Sequence, residues 1–203
     1  QQSNESIGRN LSNIVFMGMG EPLLNYSNVL GAIEKITSEE GLNMSAKRIT
    51  VSTAGIAKMI KKLGDDEVKF NLAVSLHAAD DAKRDTIMPI NEQNNIEVII
   101  EALNYFQTKC KGELTFEYIL LDGVNDTIDD AKKLIAICKQ LEDVKINVIE
   151  YNKIDQADFH KSTIDTRDKF IDYLSKHKVI ANVRKSRGKD IDAACGQLAN
   201  KNK

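Results

Sequence analysis

The segment Met17-Gly-Met-Gly-Glu-Pro22 combines residue types that bring bare backbone and a carboxylate close to a ligand. It follows the apolar run Ile14-Val15-Phe16, which is typical of a strand. Glycines permit unusual backbone angles and let a ligand approach the main chain. An ionised Glu21 only accepts hydrogen bonds, which suits an ammonium group or a ribose hydroxyl. Taken alone, the segment is better explained as a tight turn; a second signature, Ala193-Ala-Cys-Gly-Gln-Leu198, favours a ligand site.

The three cysteines have different surroundings in the sequence. Cys138 lies on the apolar stripe of a predicted helix and Cys110 continues the apolar face of another, so both are predicted to be buried. Cys195 follows the basic segment Arg184-Lys-Ser-Arg-Gly-Lys189, whose cations would lower the thiol pKa and favour the nucleophilic thiolate. An odd cysteine count without close spacing argues against disulfides and for a reducing cytosol.

Small polar side chains stand at the ends of other predicted strands. A single histidine there, His77, is more typical of a hydrogen-bonding group than of a metal ligand, because no partner supplies metal-ligand spacing. We therefore predict no metal site. The hydroxyls of Ser52 and Ser75 suit carboxylate or ribose oxygens, although capping of the next helix explains them nearly as well.

The chain has 203 residues, of which 42% are hydrophobic and 29% are charged. This length and composition predict one sizeable domain of an ordinary soluble protein. No apolar run approaches the roughly 18–20 residues of a membrane span, so no membrane partner is expected. The net charge of −2 is unevenly distributed, because residues 176–203 hold eight Lys or Arg and two Asp, a balance of +6 that leaves −8 elsewhere. Such a basic end could contact phosphates or could be a solvated tail.

Strand-like and helix-like segments alternate along the chain, which predicts a mainly parallel sheet with right-handed crossovers. The predicted strands are Asn13–Met17, Arg48–Ser52, Phe70–Leu76, Leu114–Leu120, Lys145–Glu150 and Val179–Val183. The predicted helices are Asn28–Glu40, Asn95–Lys109 (opened by Asn94), Ile128–Leu141 (after Thr127) and Thr166–His177.

The third strand shows how a barrel lumen could be lined. Side chains alternate across a strand, so Ala73, Ser75 and His77 share the face opposite Leu72 and Val74. Polar residues gathered at the carboxyl ends of parallel strands are typical of a βα barrel and would also serve a doubly wound sheet. With only five or six strands visible, a complete eight-stranded barrel is not expected.

Several ordered motifs together resemble the radical S-adenosylmethionine 23S rRNA (adenine-C2)-methyltransferase family, whose close relative methylates C8 and confers antibiotic resistance. The matching segments are Phe16-Met-Gly-Met-Gly-Glu-Pro-Leu-Leu-Asn25, Val51-Ser-Thr-Ala-Gly55, Ser75-Leu-His-Ala78, Tyr118 through Asp126, Tyr151-Asn152 and Arg187 through Leu198. The resemblance implies a partial (βα) barrel and S-adenosylmethionine as cosubstrate. It places the methionine amino group at Gly20 and Glu21. It completes the pocket with Ser52, Ser75, Leu76, His77 and Asn152, and it makes Cys195 the catalytic methyl acceptor.

The family holds a [4Fe–4S] cluster on a C-x₃-C-x₂-C motif, and that spacing occurs nowhere in this sequence. We therefore expect residues 1–203 to be the C-terminal part of the barrel, without its first βα unit and with a catalytic loop at about 184–198. The cluster and its reductant would then belong to the full-length parent, and the fragment alone would be inactive.

The resemblance further implies 23S rRNA, and tRNA as well, as cytoplasmic substrates. A missing first strand would leave an open sheet edge, so an edge-strand dimer is expected. Two alternatives stay open: a non-catalytic RNA- or nucleoside-binding module, and, with less support, a hydrolase or lyase that uses His77 and Glu150.

Overall fold

Six parallel strands form one sheet in the computed structural model, which describes residues 11–152 and 158–184. The strands are β1 (Ile14–Phe16), β2 (Ile49–Thr53), β3 (Asn71–Ser75), β4 (Leu114–Leu120), β5 (Lys145–Glu150) and β6 (Ala181–Arg184). Their spatial order is the same as their order in the chain, and every neighbouring pair is parallel. A doubly wound sheet reverses its strand order at a switch point. The unbroken order therefore confirms the predicted partial barrel and excludes the doubly wound alternative.

In the described part of the chain, six α-helices lie between the strands of this sheet. They are α1 (Tyr26–Thr37), α2 (Ala57–Asp65), α3 (Asp81–Ile87), α4 (Ile96–Lys109), α5 (Ile128–Cys138) and α6 (Ile164–Lys176). Four of them were predicted with ends that differ by at most three residues. The sequence analysis did not predict α2 or α3. In α2 the buried residues Ala57, Ile60 and Leu63 recur at helical spacing, but over only nine residues. In α3, which has seven residues, Ala82 and Ile87 are the only apolar ones. Within the described ranges, no helix is long and apolar enough to cross a membrane.

Polar side chains fix where the helices begin. The cap of α4 is Asn95, whose side chain accepts from the Val98 N–H at 3.0 Å, and not the predicted Asn94. Asn94 instead accepts from the Ala57 N–H at 2.9 Å and so ties the start of α2 to that of α4. The predicted cap Thr127 is confirmed, because it forms a reciprocal capping box with Asp130 at the start of α5.

The two faces of the sheet have different surroundings, and this separation creates the site. On β3, Leu72 and Val74 belong to the hydrophobic core shared with the helices. Leu114, Phe116 and Tyr118 continue that core on β4. The intervening residues lie on the opposite face, which is the concave side of the partial barrel: Ser52, Ala73, Ser75, Glu117 and Asn147. The face prediction made for β3 is therefore confirmed.

The edge of the sheet at β1 bears on the expected dimer. Among the described strands, β1 pairs only with β2, and its central residue Val15 is 52% exposed. An exposed strand edge offers unpaired backbone groups to another chain. The edge-strand dimer stays a prediction.

We expect Thr127→Ala to lower the free energy of unfolding by about 1 kcal/mol, because the α5 capping box loses its hydroxyl. Chemical denaturation monitored by circular dichroism measures this change. The control is Thr108→Ala: Thr108 is exposed on α4, and its hydroxyl donates only to the Tyr105 carbonyl at 2.6 Å. Equal destabilisation by the two substitutions would contradict a specific capping role.

Candidate active site

A cavity of about 320 Å³ opens at the carboxyl ends of the strands. That volume is at the lower end of the roughly 300–1,000 Å³ typical of small-molecule sites. Five of the predicted binding residues line it together: Gly20, Glu21, Ser52, Ser75 and His77. The other described lining residues are Phe16, Met17, Gly18, Pro22, Thr53, Ala54, Glu117, Ile149 and Arg184.

The glycine segment after β1 forms an open rim on this cavity. Gly20 has a φ of +89°, a left-handed conformation that side chains rarely adopt, and no heavy atom lies within 4 Å of where its Cβ would be. The same open space surrounds Gly18. Bare backbone therefore faces space that a ligand can fill, as the sequence predicted.

The carboxylate of Glu21 fastens this rim to the neighbouring strand. Its Oε1 accepts from the Leu23 N–H at 2.9 Å, and its Oε2 accepts from the Ala54 N–H at 2.7 Å, just beyond β2. An ionised carboxylate has about four acceptor positions. The two backbone bonds therefore orient Glu21 and leave acceptor capacity for a ligand.

His77 is held by the backbone around the end of β4. It has a φ of +57°, and its Nδ1 accepts from the Ile119 N–H at 3.2 Å. The buried amide of Asn125 donates to the His77 carbonyl at 2.6 Å. Burial, together with the positive charge of Arg84, lowers the imidazole pKa to about 4. At neutral pH the ring is uncharged, and because Nδ1 accepts, its Nε2–H is the donor available to a ligand.

Glu117 on β4 lines the cavity with a buried carboxylate that the sequence analysis did not single out. Glu117 is paired in register with Ser75 on one side and with Asn147 on the other, so the three side chains form a row across β3, β4 and β5. Glu117 is 3% exposed and accepts from Asn147 Nδ2 at 2.8 Å and from Arg184 Nη1 at 3.3 Å. The signal available in the sequence was a charged residue at a lumen position of an otherwise apolar strand.

Arg84, at 0% exposure, is a second polar residue that the sequence analysis missed. Its guanidinium makes five hydrogen bonds to the chain around the carboxyl ends of β2 and β3. The acceptors are the carbonyls of Ala54 (2.9 Å), Ser75 (3.3 Å), Leu76 (3.1 Å) and Asn94 (2.9 Å), and the side-chain oxygen of Asn91 (2.6 Å). Burial lowers the guanidinium pKa, and Asp81 and Asp85 nearby oppose that shift. Arg84 thus positions the loops without lining the cavity.

Three predicted site residues lie elsewhere. The Leu76 side chain is buried in the core, while its N–H donates to the Glu117 carbonyl at 3.1 Å. Asn152 lies two residues beyond β5 and is not among the described residues that line the cavity. Cys195, and all of the predicted catalytic loop beyond Arg184, lie outside the described residues.

The other two cysteines are structural. Cys110 and Cys138 are buried free thiols, as predicted. Burial raises the pKa of Cys138 to about 12 and also raises that of Cys110, so both stay protonated and unreactive at neutral pH.

The described residues do not fit an iron–sulfur cluster. They contain no group of three or more His, Cys, Asp or Glu side chains that could hold a metal ion. In the whole sequence, the three cysteines at 110, 138 and 195 are too far apart for a C-x₃-C-x₂-C motif.

Comparison with known proteins places this geometry in a family. The model of the radical SAM superfamily matches residues 5–136. This chain belongs to the radical SAM superfamily. Within it, the resemblance to RNA methyltransferases is confirmed by a protein of Cytophaga hutchinsonii named probable dual-specificity RNA methyltransferase RlmN, which is 61% identical over 93% of this chain and 52% of its own length. The dual-specificity RNA methyltransferase RlmN of Campylobacter hominis is 44% identical over 94% and 53% of the two chains.

Solved structures support the same placement of this radical SAM chain. A radical SAM methyltransferase from Sphaerobacter thermophilus superposes with a TM-score of 0.91 at 38% identity and covers 97% of this chain and 57% of that one. A domain of pyruvate-formate lyase-activating enzyme from Bacteroides vulgatus shares the fold, with a TM-score of 0.67 at 17% identity over 86% of this chain. The chain spans about half the length of the curated relatives that it matches.

We expect Arg84→Lys to lower the free energy of unfolding by roughly 2–5 kcal/mol, because an ammonium cannot reach all five acceptors and leaves buried carbonyls unpaired. Urea denaturation measures the loss. The control is Arg48→Lys at an exposed position immediately before β2, where a change within about 0.5 kcal/mol is expected. Similar stabilities for the two variants would contradict the positioning role of Arg84.

His77 predicts a pH-dependent stability. Its folded-state pKa of about 4 lies below the ordinary value of 6.5, so the unfolded chain binds more protons between these values. Stability is therefore present above pH 6.5 and falls as the pH decreases toward 4, by up to roughly 3 kcal/mol. His77→Asn, which tolerates the positive φ, should remove this part of the pH dependence, and His160→Asn at an exposed position should keep it. Denaturation curves from pH 7 to 4 measure both, and identical profiles would refute the assignment.

Proposed function

We propose that this chain forms the S-adenosylmethionine-binding half-barrel of an RNA adenine methyltransferase. The observation that carries the proposal is one cavity that gathers Gly20, Glu21, Ser52, Ser75 and His77 at the carboxyl ends of three parallel strands, β1, β2 and β3. A glycine rim, a carboxylate, two hydroxyls and a neutral imidazole suit a ligand with ammonium, carboxylate and ribose groups. The match to the radical SAM superfamily supports this cosubstrate, and the names of the relatives support an RNA substrate.

The residues divide the recognition of this cosubstrate. Glu21, already oriented by two backbone N–H groups, accepts from the methionine ammonium beside the open backbone of Gly20. Ser52 and Ser75 bond the carboxylate or the ribose, and His77 donates from Nε2. Leu76 contributes through its backbone, because its side chain is in the core. Asn152, two residues after β5, is the remaining residue proposed to complete the pocket.

Cys195 is the proposed catalytic residue. Its thiolate attacks the methyl group of S-adenosylmethionine, so an S–CH₃ bond forms while the bond from methyl to the sulfonium sulfur breaks. The basic segment at 184–189 favours the thiolate that this step needs. Bound S-adenosylmethionine supplies the methyl group and, when a second molecule is cleaved reductively, the radical chemistry that an unreactive adenine C2 carbon requires.

The iron–sulfur cluster of the family belongs to residues other than those of this chain, because no three cysteines here have the required spacing. We therefore propose that the activity is that of a longer parent protein, with its own reductant, and that residues 1–203 alone do not methylate RNA. The proposed substrates are 23S rRNA, at adenine C2, and tRNA in the cytoplasm. The +6 charge of residues 176–203 supports a phosphate contact near Cys195.

The absence of cluster ligands from this sequence also favours a second candidate, a non-catalytic RNA- or nucleoside-binding module. That candidate predicts salt-dependent RNA binding without S-adenosylmethionine binding. A hydrolase or lyase site is not supported, because Glu150 is ion-paired with Lys161 at 3.2 Å and Arg167 at 3.0 Å, and it does not line the cavity among the described residues.

In the parent protein, we expect Cys195→Ala to abolish RNA adenine methylation, because the other two thiols of this chain, Cys110 and Cys138, are buried. Mass spectrometry of digested RNA measures methylation, and peptide mass spectrometry of the wild type should find a methyl group on Cys195. The control is Cys138→Ala at a buried, protonated thiol, which should retain methylation. Unchanged methylation in Cys195→Ala would reject the mechanism.

A further inference from the structure

Two carboxylates line the cavity, and they differ in how they are engaged. Both oxygens of Glu21 accept backbone N–H groups, so its orientation is set by the fold. Among the described residues, no backbone N–H donates to the Glu117 carboxylate. Its partners are the Asn147 amide at 2.8 Å and the Arg184 guanidinium at 3.3 Å, both on other strands.

The charge balance around Glu117 is uneven. Burying a carboxylate is costly unless a cation or several hydrogen bonds compensate. Arg184 is the only cation among the described residues that line the cavity, since His77 is neutral at pH 7. Two carboxylates against one guanidinium leave the lining with a net charge of −1, which favours a cationic ligand.

Arg184 is a loosely placed partner. Its contact with Glu117 involves one nitrogen at 3.3 Å, whereas a strong charge-assisted bond is about 2.7–2.9 Å. The Arg184 side chain is 40% exposed, and that of Glu117 is 4% exposed. The same Nη1 also lies 3.0 Å from the sulfur of Met17. A cation inside the cavity can therefore compete with this guanidinium for the buried carboxylate.

We propose that Glu117 is a specificity-determining residue that recognises a positive charge of the bound cosubstrate, and that Arg184 competes with the cosubstrate for this carboxylate. The inference rests on the proposed function, in which the ligand is S-adenosylmethionine. This molecule has two positive groups, a sulfonium and an ammonium, and one carboxylate, so its net charge is +1. The row Ser75–Glu117–Asn147 puts this recognition at the centre of the concave face. Arg184 becomes a competitor that the ligand must displace.

Binding calorimetry on the full chain tests this with two probes, S-adenosylmethionine and the uncharged thioether 5′-methylthioadenosine. Glu117→Gln keeps the shape and an acceptor for Asn147, so it should weaken S-adenosylmethionine binding about tenfold and change 5′-methylthioadenosine binding less than about twofold. Arg184→Gln removes the competitor and should tighten S-adenosylmethionine binding by about threefold. Glu113→Gln is the matched control, because Glu113 is exposed at the opposite end of β4 and pairs with Lys145.

The two substitutions are expected to change the affinity for S-adenosylmethionine in opposite directions, and this difference separates ligand recognition from a structural role. If Glu117→Gln weakens both probes equally, or if Arg184→Gln weakens S-adenosylmethionine binding as Glu117→Gln does, the ion pair is structural and the inference is overturned. Thermal unfolding of each variant shows whether the fold persists. If the wild-type chain binds S-adenosylmethionine and 5′-methylthioadenosine with the same affinity, this inference alone is overturned. A wild-type chain that binds neither probe would remove the proposed function as well.

Discussion

The site depends most on the hydrogen bonds of the buried Arg84 guanidinium. A fully buried cation costs several kcal/mol unless its donors are all satisfied. Here five hydrogen bonds to the loops after β2 and β3 and to the turn before α4 meet that requirement. The acceptors are almost all backbone carbonyls, so Arg84 fixes the main chain itself. Ser75 and His77 take their places in the cavity because this main chain is fixed.

A second network does the same for the end of β4. The buried Asn125 amide donates to the carbonyls of His77 and Ile119 and accepts from the Leu121 N–H at 2.8 Å. Tyr118 donates to the Asn125 carbonyl at 2.9 Å from the opposite, core-facing side of the strand. The conformation of His77, with its positive φ, is therefore held from both sides. Burial and the positive charge of Arg84 lower the pKa of the His77 imidazole, so the ring is neutral at pH 7.

The concave face joins two kinds of residue with different purposes. Glu21 and His77 carry backbone bonds that orient them before any ligand is bound, and orientation in advance reduces the entropy cost of binding. Glu117 and Arg184 face each other across strands and are held mainly by side chains. A ligand can rearrange the second pair more readily than the first, and Arg184 is the first residue of the predicted catalytic loop that contains Cys195. Arg184 therefore lines the cavity and also begins the predicted catalytic loop.

The sequence by itself determined the strand and helix alternation, the sidedness of β3 and the family. These follow from local signals: period-two and helical apolar spacing, and motifs such as Gly18-Met-Gly-Glu21 whose chemistry is contained in a few adjacent residues. The helices α2 and α3 were not predicted. Both are short, and the side chains of Asn94 and Asp80 hydrogen-bond to backbone N–H groups in their first turns. Only the tertiary structure revealed Arg84 and Glu117. The partners of Glu117 lie 30 and 67 residues away, and those of Arg84 come from three separate segments of the chain. Which groups neutralise each buried charge is decided only when these segments have been brought together.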